Sequence, residues 1–396
     1  MKIGVNASFV RKPDAGMGRV SANFLQKLAE IQNSKFKIQN SGVEFFLYLE
    51  EDIDLELPEK FHKRIFLPPY KRDDLIRKIW WEKYLLPKKA KKDGCDVFFS
   101  LYQCPTILRN IPHIMLVHDA IWRIFPDYLN NSRKKTYAKK TEKAIQQANK
   151  IMTISESSKK DIKKFFQVKD EDVIINPIDC DPGFKKNLTQ KELNKTLKKF
   201  GLIEEEYIFY VGGFDVRKNV DGLIKAYAIL WQKYSEKIDI PDLVIAGGFN
   251  PDLIPLVTDL PEEIRKAVKN FGVPQEKFKT PGFVEQNDLP ALYRGAKAFC
   301  FPSLYEGFGL PVLEAFNSGC SVVVSDNSSL GEIANRKNAF IFKNGNDEDL
   351  AEKIYSCLRK EKKRKEKISQ AVKTAKQYSW GKFADKFIES LRNVKK

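Results

Sequence analysis

Two carboxylates, Glu306 and Glu314, stand with seven residues between them in FCFPSLYEGFGLPVLEAFNSG, residues 299–319. The first lies in a glycine turn, Glu306-Gly307-Phe308-Gly309. The second falls among Val312, Leu313 and Phe316, whose apolar spacing predicts a helix, and Pro311 suits the first turn of that helix. Glu306 is therefore expected just outside a positive helix N-terminus, beside the N–H groups of Phe308, Gly309 and Leu310, with Glu314 about one turn further in. A carboxylate there accepts hydrogen bonds from a diol, and the N–H groups hold a phosphate, so the stretch suits a sugar joined to a phosphate. The same pair also suits the acid and nucleophile of a glycosidase, whose carboxylates stand roughly 5 to 10 Å apart. Phosphate-binding features elsewhere in the chain weigh against hydrolysis of a neutral glycoside.

The main such feature is YVGGFDVRKN, residues 210–219, where an aromatic and β-branched strand ends in Gly212-Gly213 and is followed by Arg217-Lys218 and a helix. Glycines at Gly212 and Gly213 permit close backbone approach, and two cations near a helix N-terminus make phosphate the natural ligand. Neither the dinucleotide fingerprint G-x-G-x-x-G nor the G-K-[ST] of a Walker loop is present. AGMGR, residues 15–19, is a second glycine-bearing loop; Gly16 and Gly18 either offer N–H groups to an anion or sugar or serve only as a turn. His118, with Asp119, closes the predicted strand HIMLVHDA, the end at which a polar site residue belongs, whereas His113 enters that strand and His62 falls in a charged loop. The six cysteines are scattered, with no C-x-x-C pair and no nearby histidine, so neither a disulfide framework nor a zinc site is indicated.

These residues need elements to position them. A chain of 396 residues exceeds the roughly 250 to 300 at which single cores stop growing, so two domains are expected. KIGVNAS, VEFFLYLE, CDVFFS, HIMLVHDA and KIMTISES alternate with helical stretches such as residues 71–86 and SRKKTYAKKTEKAIQQAN, which predicts a parallel sheet covered on both faces. The pattern pauses at NPIDCDPGF and the polar helix TQKELNKTLKKFG, then restarts from EYIFYVGG through DLVIAGG, FKTPGFV, AFCFPS, SVVVSD and AFIFK. The expected organisation is a domain over 1–180, a second over 181–378, and a final helix over 379–396 whose Trp380, Phe383, Phe387 and Leu391 share one face and must be buried. Two doubly wound α/β units of this kind would meet across a cleft at the C-terminal ends of their strands, where a ligand is expected.

The net charge of +17 divides unevenly: +14 over residues 1–200, −7 over 201–350 and +10 over 351–396. The basic first half suits an anionic partner such as a membrane surface, or is simply a solvated lysine-rich face. No nucleic-acid-binding module or aromatic-basic stripe is present. The apolar run after Met1 is far too short for a signal peptide, and nowhere do about 18 uncharged apolar residues occur together. A cytoplasmic protein, peripheral at the inner face of the membrane, is expected.

GMGR, HDAIWRIFPDYL, KIMTISESSKKDI, YVGGFDVRKN, TPGFVEQNDLPALY, FPSLYEGFGLPVLEAFNSGCSVVVSD and YSWGKF follow one another along nearly the whole chain. Together they resemble the retaining glycosyltransferases of family 4, in the style of bacterial mannosyltransferases that build lipid-linked polysaccharide. The resemblance implies the GT-B fold, two Rossmann-like domains facing across a cleft, with the last helix packed back on the first. It implies that Arg217 and Lys218 bind the donor diphosphate, Glu306 the hydroxyls of the transferred sugar and Glu314 the ribose. His118 is implied beside the sugar, Gly16 and Gly18 near phosphates and acceptor, Phe283 and Val284 near the nucleobase, and the backbone of Phe308, Gly309 and Leu310 on sugar and phosphate; Gly213 belongs to the same donor loop. The implied activity moves a hexose, mannose from GDP-mannose first and a UDP-hexose second, to a saccharide or lipid-linked saccharide, without metal or other cofactor. A nucleotide-sugar epimerase on the same fold is the alternative. The sequence departs from the family pattern at Val20, where tyrosine is common, and Ser321, where proline often stands.

Overall fold

The computed structural model describes residues 1–12, 16–33, 42–53, 55, 57–68, 74–248 and 256–394. Ala15 of the AGMGR stretch and residues 71–73 of the predicted helix 71–86 lie outside the described residues. The chain divides into two compact units, Met1–Asp179 with Ser379–Lys396, and Cys180–Tyr378.

The first unit holds a parallel sheet of seven strands: β1 (Lys2–Asn6), β2 (Glu44–Leu49), β3 (Phe61–Ile65), β4 (Val97–Ser100), β5 (His113–Leu116), β6 (Lys150–Thr153) and β7 (Val173–Ile175), in the order β3-β2-β1-β4-β5-β6-β7. The second repeats the pattern with β8 (Tyr207–Val211), β9 (Asp242–Ala246), β10 (Phe278–Gly282), β11 (Ala298–Phe301), β12 (Val322–Ser325) and β13 (Phe340–Phe342), ordered β10-β9-β8-β11-β12-β13. Strands covered on both faces must be apolar on both, and every residue of β4, β11 and β12 is buried. Both sheets are the doubly wound Rossmann type, with order reversing beside β1 in one and β8 in the other.

Two strands and one residue depart from the sequence reading. β3 and β7 were not expected: FHKRI carries three basic or titratable side chains, and VII is only three residues long. Both are edge strands, where charge is tolerated and protects the open backbone. His62 accordingly lies in β3, not in a loop, with its Nε2 3.1 Å from Glu44 Oε2. β10 contains Pro281, which an edge position permits, and its register shifts between Lys279 and Gly282.

Helix boundaries follow local chemistry. Thr189 and Glu192 form a reciprocal capping box at the start of the helix Gln190–Lys199, and Ser155 caps Glu156–Phe166 through the Ser158 N–H. The helix predicted over residues 71–86, described from Asp74 onward, runs on to Lys92, with a wide π turn at Trp81–Leu85. The last helix, Trp380–Val394, buries its aromatic face within the first unit: Phe24 meets Phe383 and Phe387 edge-on at 5.1 Å each, and Phe387 lies 4.5 Å from Phe99. Asn176 donates to the Phe383 carbonyl at 2.9 Å and ties that helix down.

Candidate functional site

The second unit's site is built at the switch point of its sheet. Beyond β8 the chain turns through Gly212 and Gly213 into a short 3-10 turn, Val216–Lys218, ahead of the helix Val220–Tyr234; beyond the adjacent β11 it runs through Ser303 to Glu306. Because β8 and β11 are hydrogen-bonded neighbours, the two loops emerge side by side. They are stitched together: the Leu304 N–H donates to the Arg217 carbonyl at 2.6 Å and Asn219 Nδ2 to the Pro302 carbonyl at 3.3 Å. Asn219 adopts φ 55, a left-handed conformation that asparagine tolerates better than most residues, and so turns the chain into its helix.

That stitching brings three of the predicted residues into one cluster. Lys218 Nζ donates to Glu306 Oε1 at 2.6 Å, Arg217 Nη1 lies 3.2 Å from the same oxygen, and the buried Ser303 hydroxyl donates to it at 2.6 Å. Arg217 is also held by Asp215, at 2.9 Å from Nε, and by the Tyr305 carbonyl at 3.3 Å. All three charged side chains are at most 18% exposed. Burial by itself would raise the Glu306 carboxyl, but Lys218, Arg217 and the Ser303 hydrogen bond outweigh it and hold the group below its ordinary range. Burial pulls the Lys218 ammonium below its usual value while Glu306 pulls the other way. The result is a carboxylate with two cations already fixed around one oxygen.

The Glu306–Gly309 turn is braced from behind. The Glu306 N–H donates to Ser328 Oγ at 3.0 Å, and Ser329 Oγ lies 2.8 Å from the Glu306 carbonyl and 2.7 Å from that of Phe308. Gly309 caps the helix Leu310–Asn317 at φ 112, and a Cβ there would stand 2.7 Å from Leu330 Cδ2. Glu314 is buried inside this helix and accepts from the Tyr293 hydroxyl at 2.9 Å. Phe308 is buried edge-on to Tyr378. In the turn after β10 the ring of Phe283 is exposed whereas Val284 points into the core.

The remaining predicted residues belong to the first unit. β5 ends at Leu116, so His118 lies two residues beyond the strand rather than at its last position. It is buried, and its Nε2 stands 3.1 Å from the Leu101 carbonyl; because a carbonyl only accepts, Nε2 carries the proton and Nδ1 is left as an acceptor. Burial lowers its pKa to about 4, so at neutral pH it is an uncharged imidazole able to accept from a hydroxyl. Gly16 and Gly18 do not form a loop: both sit in the first turn of the helix Gly16–Asn33. Gly18 has a packing reason for its identity, since a Cβ would fall 1.9 Å from the Lys12 carbonyl oxygen, while Gly16 has open space.

Sequence reasoning missed Ser303, Asp215, Ser328 and Ser329, the residues that position the cluster. A small hydroxyl three residues before Glu306 and an acid two before Arg217 are the available signals, but each matters only once β8 and β11 are adjacent.

The match to known proteins agrees with this architecture. Residues 194–374 match the model for glycosyl transferases group 1. The O-antigen chain mannosyltransferase B of Escherichia coli is 26% identical over 391 residues, 96% of each chain. The serotype-specific mannosyltransferase WbdA of Escherichia coli is 25% identical over 288 residues, 72% of this chain but only 34% of WbdA. Among solved structures, WaaG, a glycosyltransferase involved in lipopolysaccharide biosynthesis, superposes with a TM-score of 0.72 over 98% of both chains; at 17% identity this likeness establishes the fold. Two Rossmann-like units of GT-B type, a glycosyl transferases group 1 match over residues 194–374 that spans the cation–carboxylate cluster, and a relative similar along its full length together make the chain a glycosyltransferase.

Proposed function

We propose that the chain transfers mannose from GDP-mannose to a saccharide or lipid-linked saccharide, with retention of anomeric configuration and without a metal ion. The observation that carries this reading is the cluster in which Lys218 and Arg217 converge on Glu306 Oε1 at the β8–β11 switch point. Breaking a sugar–phosphate bond builds negative charge on the departing diphosphate, so fixed cations there stabilise the transition state more than the ground state. Glu306 keeps the two side chains charged and in place before the donor arrives and then contacts hydroxyls of the transferred sugar. The turn Phe308–Leu310 offers backbone N–H groups to sugar and phosphate, Glu314 takes the ribose, and Phe283 lies open for a nucleobase. His118, neutral and presenting Nδ1, accepts from a sugar hydroxyl. In a front-face route the leaving phosphate oxygen takes the acceptor proton, and no carboxylate nucleophile is required. The full-length similarity to an O-antigen chain mannosyltransferase supports mannose and a saccharide acceptor.

The test is nucleotide release from a panel of GDP- and UDP-sugars, with and without saccharide acceptors, in the presence and absence of EDTA. Acceptor-dependent GDP release from GDP-mannose, unchanged by EDTA, is expected. UDP release would reassign the donor, acceptor-independent isomerisation would point to the epimerase, and loss of activity with EDTA would remove the metal-independent route.

A further inference from the structure

Among the described residues eight large apolar side chains are exposed, and five of them, Ile65, Leu67, Ile76, Trp80 and Tyr84, gather at one edge of the first unit. Ile65 ends the edge strand β3. Phe66, between the two exposed strand-end residues, stacks on Trp81 at 5.1 Å and accepts from its indole N–H at 2.8 Å, which sets them beside the helix carrying the other three. On that helix the π turn Trp81–Leu85 keeps Trp81 and Glu82 inside while Trp80 and Tyr84 stay out, their rings 5.3 Å apart.

On the helical side the surroundings are basic, and two acids there, Glu82 and Glu142, are taken up by neighbours. Lys83 Nζ lies 3.0 Å from the Tyr84 hydroxyl, with Lys140 alongside it from the neighbouring helix Ser132–Gln147. Lys88, Lys135 and Lys139 are exposed on the same two helical stretches. Glu82 is fully buried against Tyr102 and Tyr137, and Glu142 is occupied by Arg123 at 2.6 Å. Nothing among the described residues of this unit packs over the exposed Trp–Tyr–Ile stripe, which lysines flank. Aromatic rings with a polar tip favour the headgroup layer of a bilayer, and lysines favour anionic lipid.

We propose that this face, centred on Trp80 and Tyr84, docks the enzyme on an anionic membrane surface. The inference rests on the reading above only for its purpose, access to a lipid-linked acceptor; its chemistry is that of the face itself. No helix among the described residues is long and apolar enough to cross a membrane, so the contact is interfacial.

The experiment is co-sedimentation of the full chain with vesicles of phosphatidylglycerol and phosphatidylcholine, and with phosphatidylcholine alone. Binding to the first and not the second is expected, reduced at least about tenfold by Trp80→Ser with Tyr84→Ser and, separately, by Lys83→Glu with Lys140→Glu. Turnover with a soluble saccharide acceptor should stay within about twofold of wild type in both variants, because no donor-site group is altered. Should the serine variant fail to fold, brominated phosphatidylglycerol decides the matter: it should quench wild-type tryptophan fluorescence and spare Trp80→Phe. Absence of vesicle binding, binding by both variants at the wild-type level, or a change of oligomeric state on mutation without any vesicle binding overturns the proposal. The last outcome assigns the face to a second copy of the chain. None of these results depends on which sugar is transferred, so the docking face and the donor assignment fail separately.

Discussion

Glu306 is a carboxylate with two cations and a hydroxyl on one oxygen, and almost all of its environment is protein. A buried ion pair of this kind contributes little net stability, yet removing one partner strands the other charge in a poor solvent. Glu306→Gln is therefore expected to lower stability at pH 7 by about 3 kcal/mol. The sign with pH follows from the depressed carboxyl: its contribution is present above the ordinary glutamate range and disappears as pH falls through the lower folded-state value. Urea unfolding of wild type and Glu306→Gln should show a gap that is widest near neutrality and narrows in acid; a gap constant down to acid would show that Glu306 is not held ionised by its neighbours. The sequence made Glu306, Arg217 and Lys218 visible, because glycines and charges next to strand ends are local signals. It gave them separate ligands, and their mutual pairing was hidden because Lys218 and Glu306 stand 88 residues apart and meet only once β8 and β11 are adjacent.

At the scale of elements, the two glycines of the first helix separate a ligand role from a packing role. Gly18 sits under the Lys12 carbonyl, with room for a hydrogen but not a methyl, whereas Gly16 faces open space. Gly18→Ala is expected to destabilise by about 2 kcal/mol through this backbone clash. Gly16→Ala should change stability by less than about 1 kcal/mol, since alanine is the better helix former. Thermal melting of both variants checks this, and equal effects would mean that the close approach to Lys12 does not set the helix start. Strand and helix alternation was legible because parallel strands are continuous apolar runs. Charged or very short edge strands such as β3 and β7 carry no such run, and the π turn at Trp81 carries no periodicity signal at all. A G-x-G pair reads as a loop because glycine is rare inside helices, and the approach of Lys12 explains Gly18 but not Gly16.

At the scale of the whole chain, two sheets of matching order each place the C-terminal ends of their central strands at a switch point. The second sheet sets the cation–carboxylate cluster there; the first sets the neutral His118 beyond β5. That the chain is a glycosyltransferase was legible from the ordered motifs, whereas the donor base and the acceptor are set by side chains outside them. In the proposed transfer, Arg217 and Lys218 stabilise the charge that develops on a departing diphosphate. The most direct measurement of this role is kcat and KM for GDP-mannose turnover in Arg217→Ala and Lys218→Ala, with melting curves to confirm that each variant is folded. A fall in kcat of at least about 10²-fold is expected in each, with a much smaller change in KM, as for loss of an oxyanion contact. Near-normal kcat in both folded variants would contradict it.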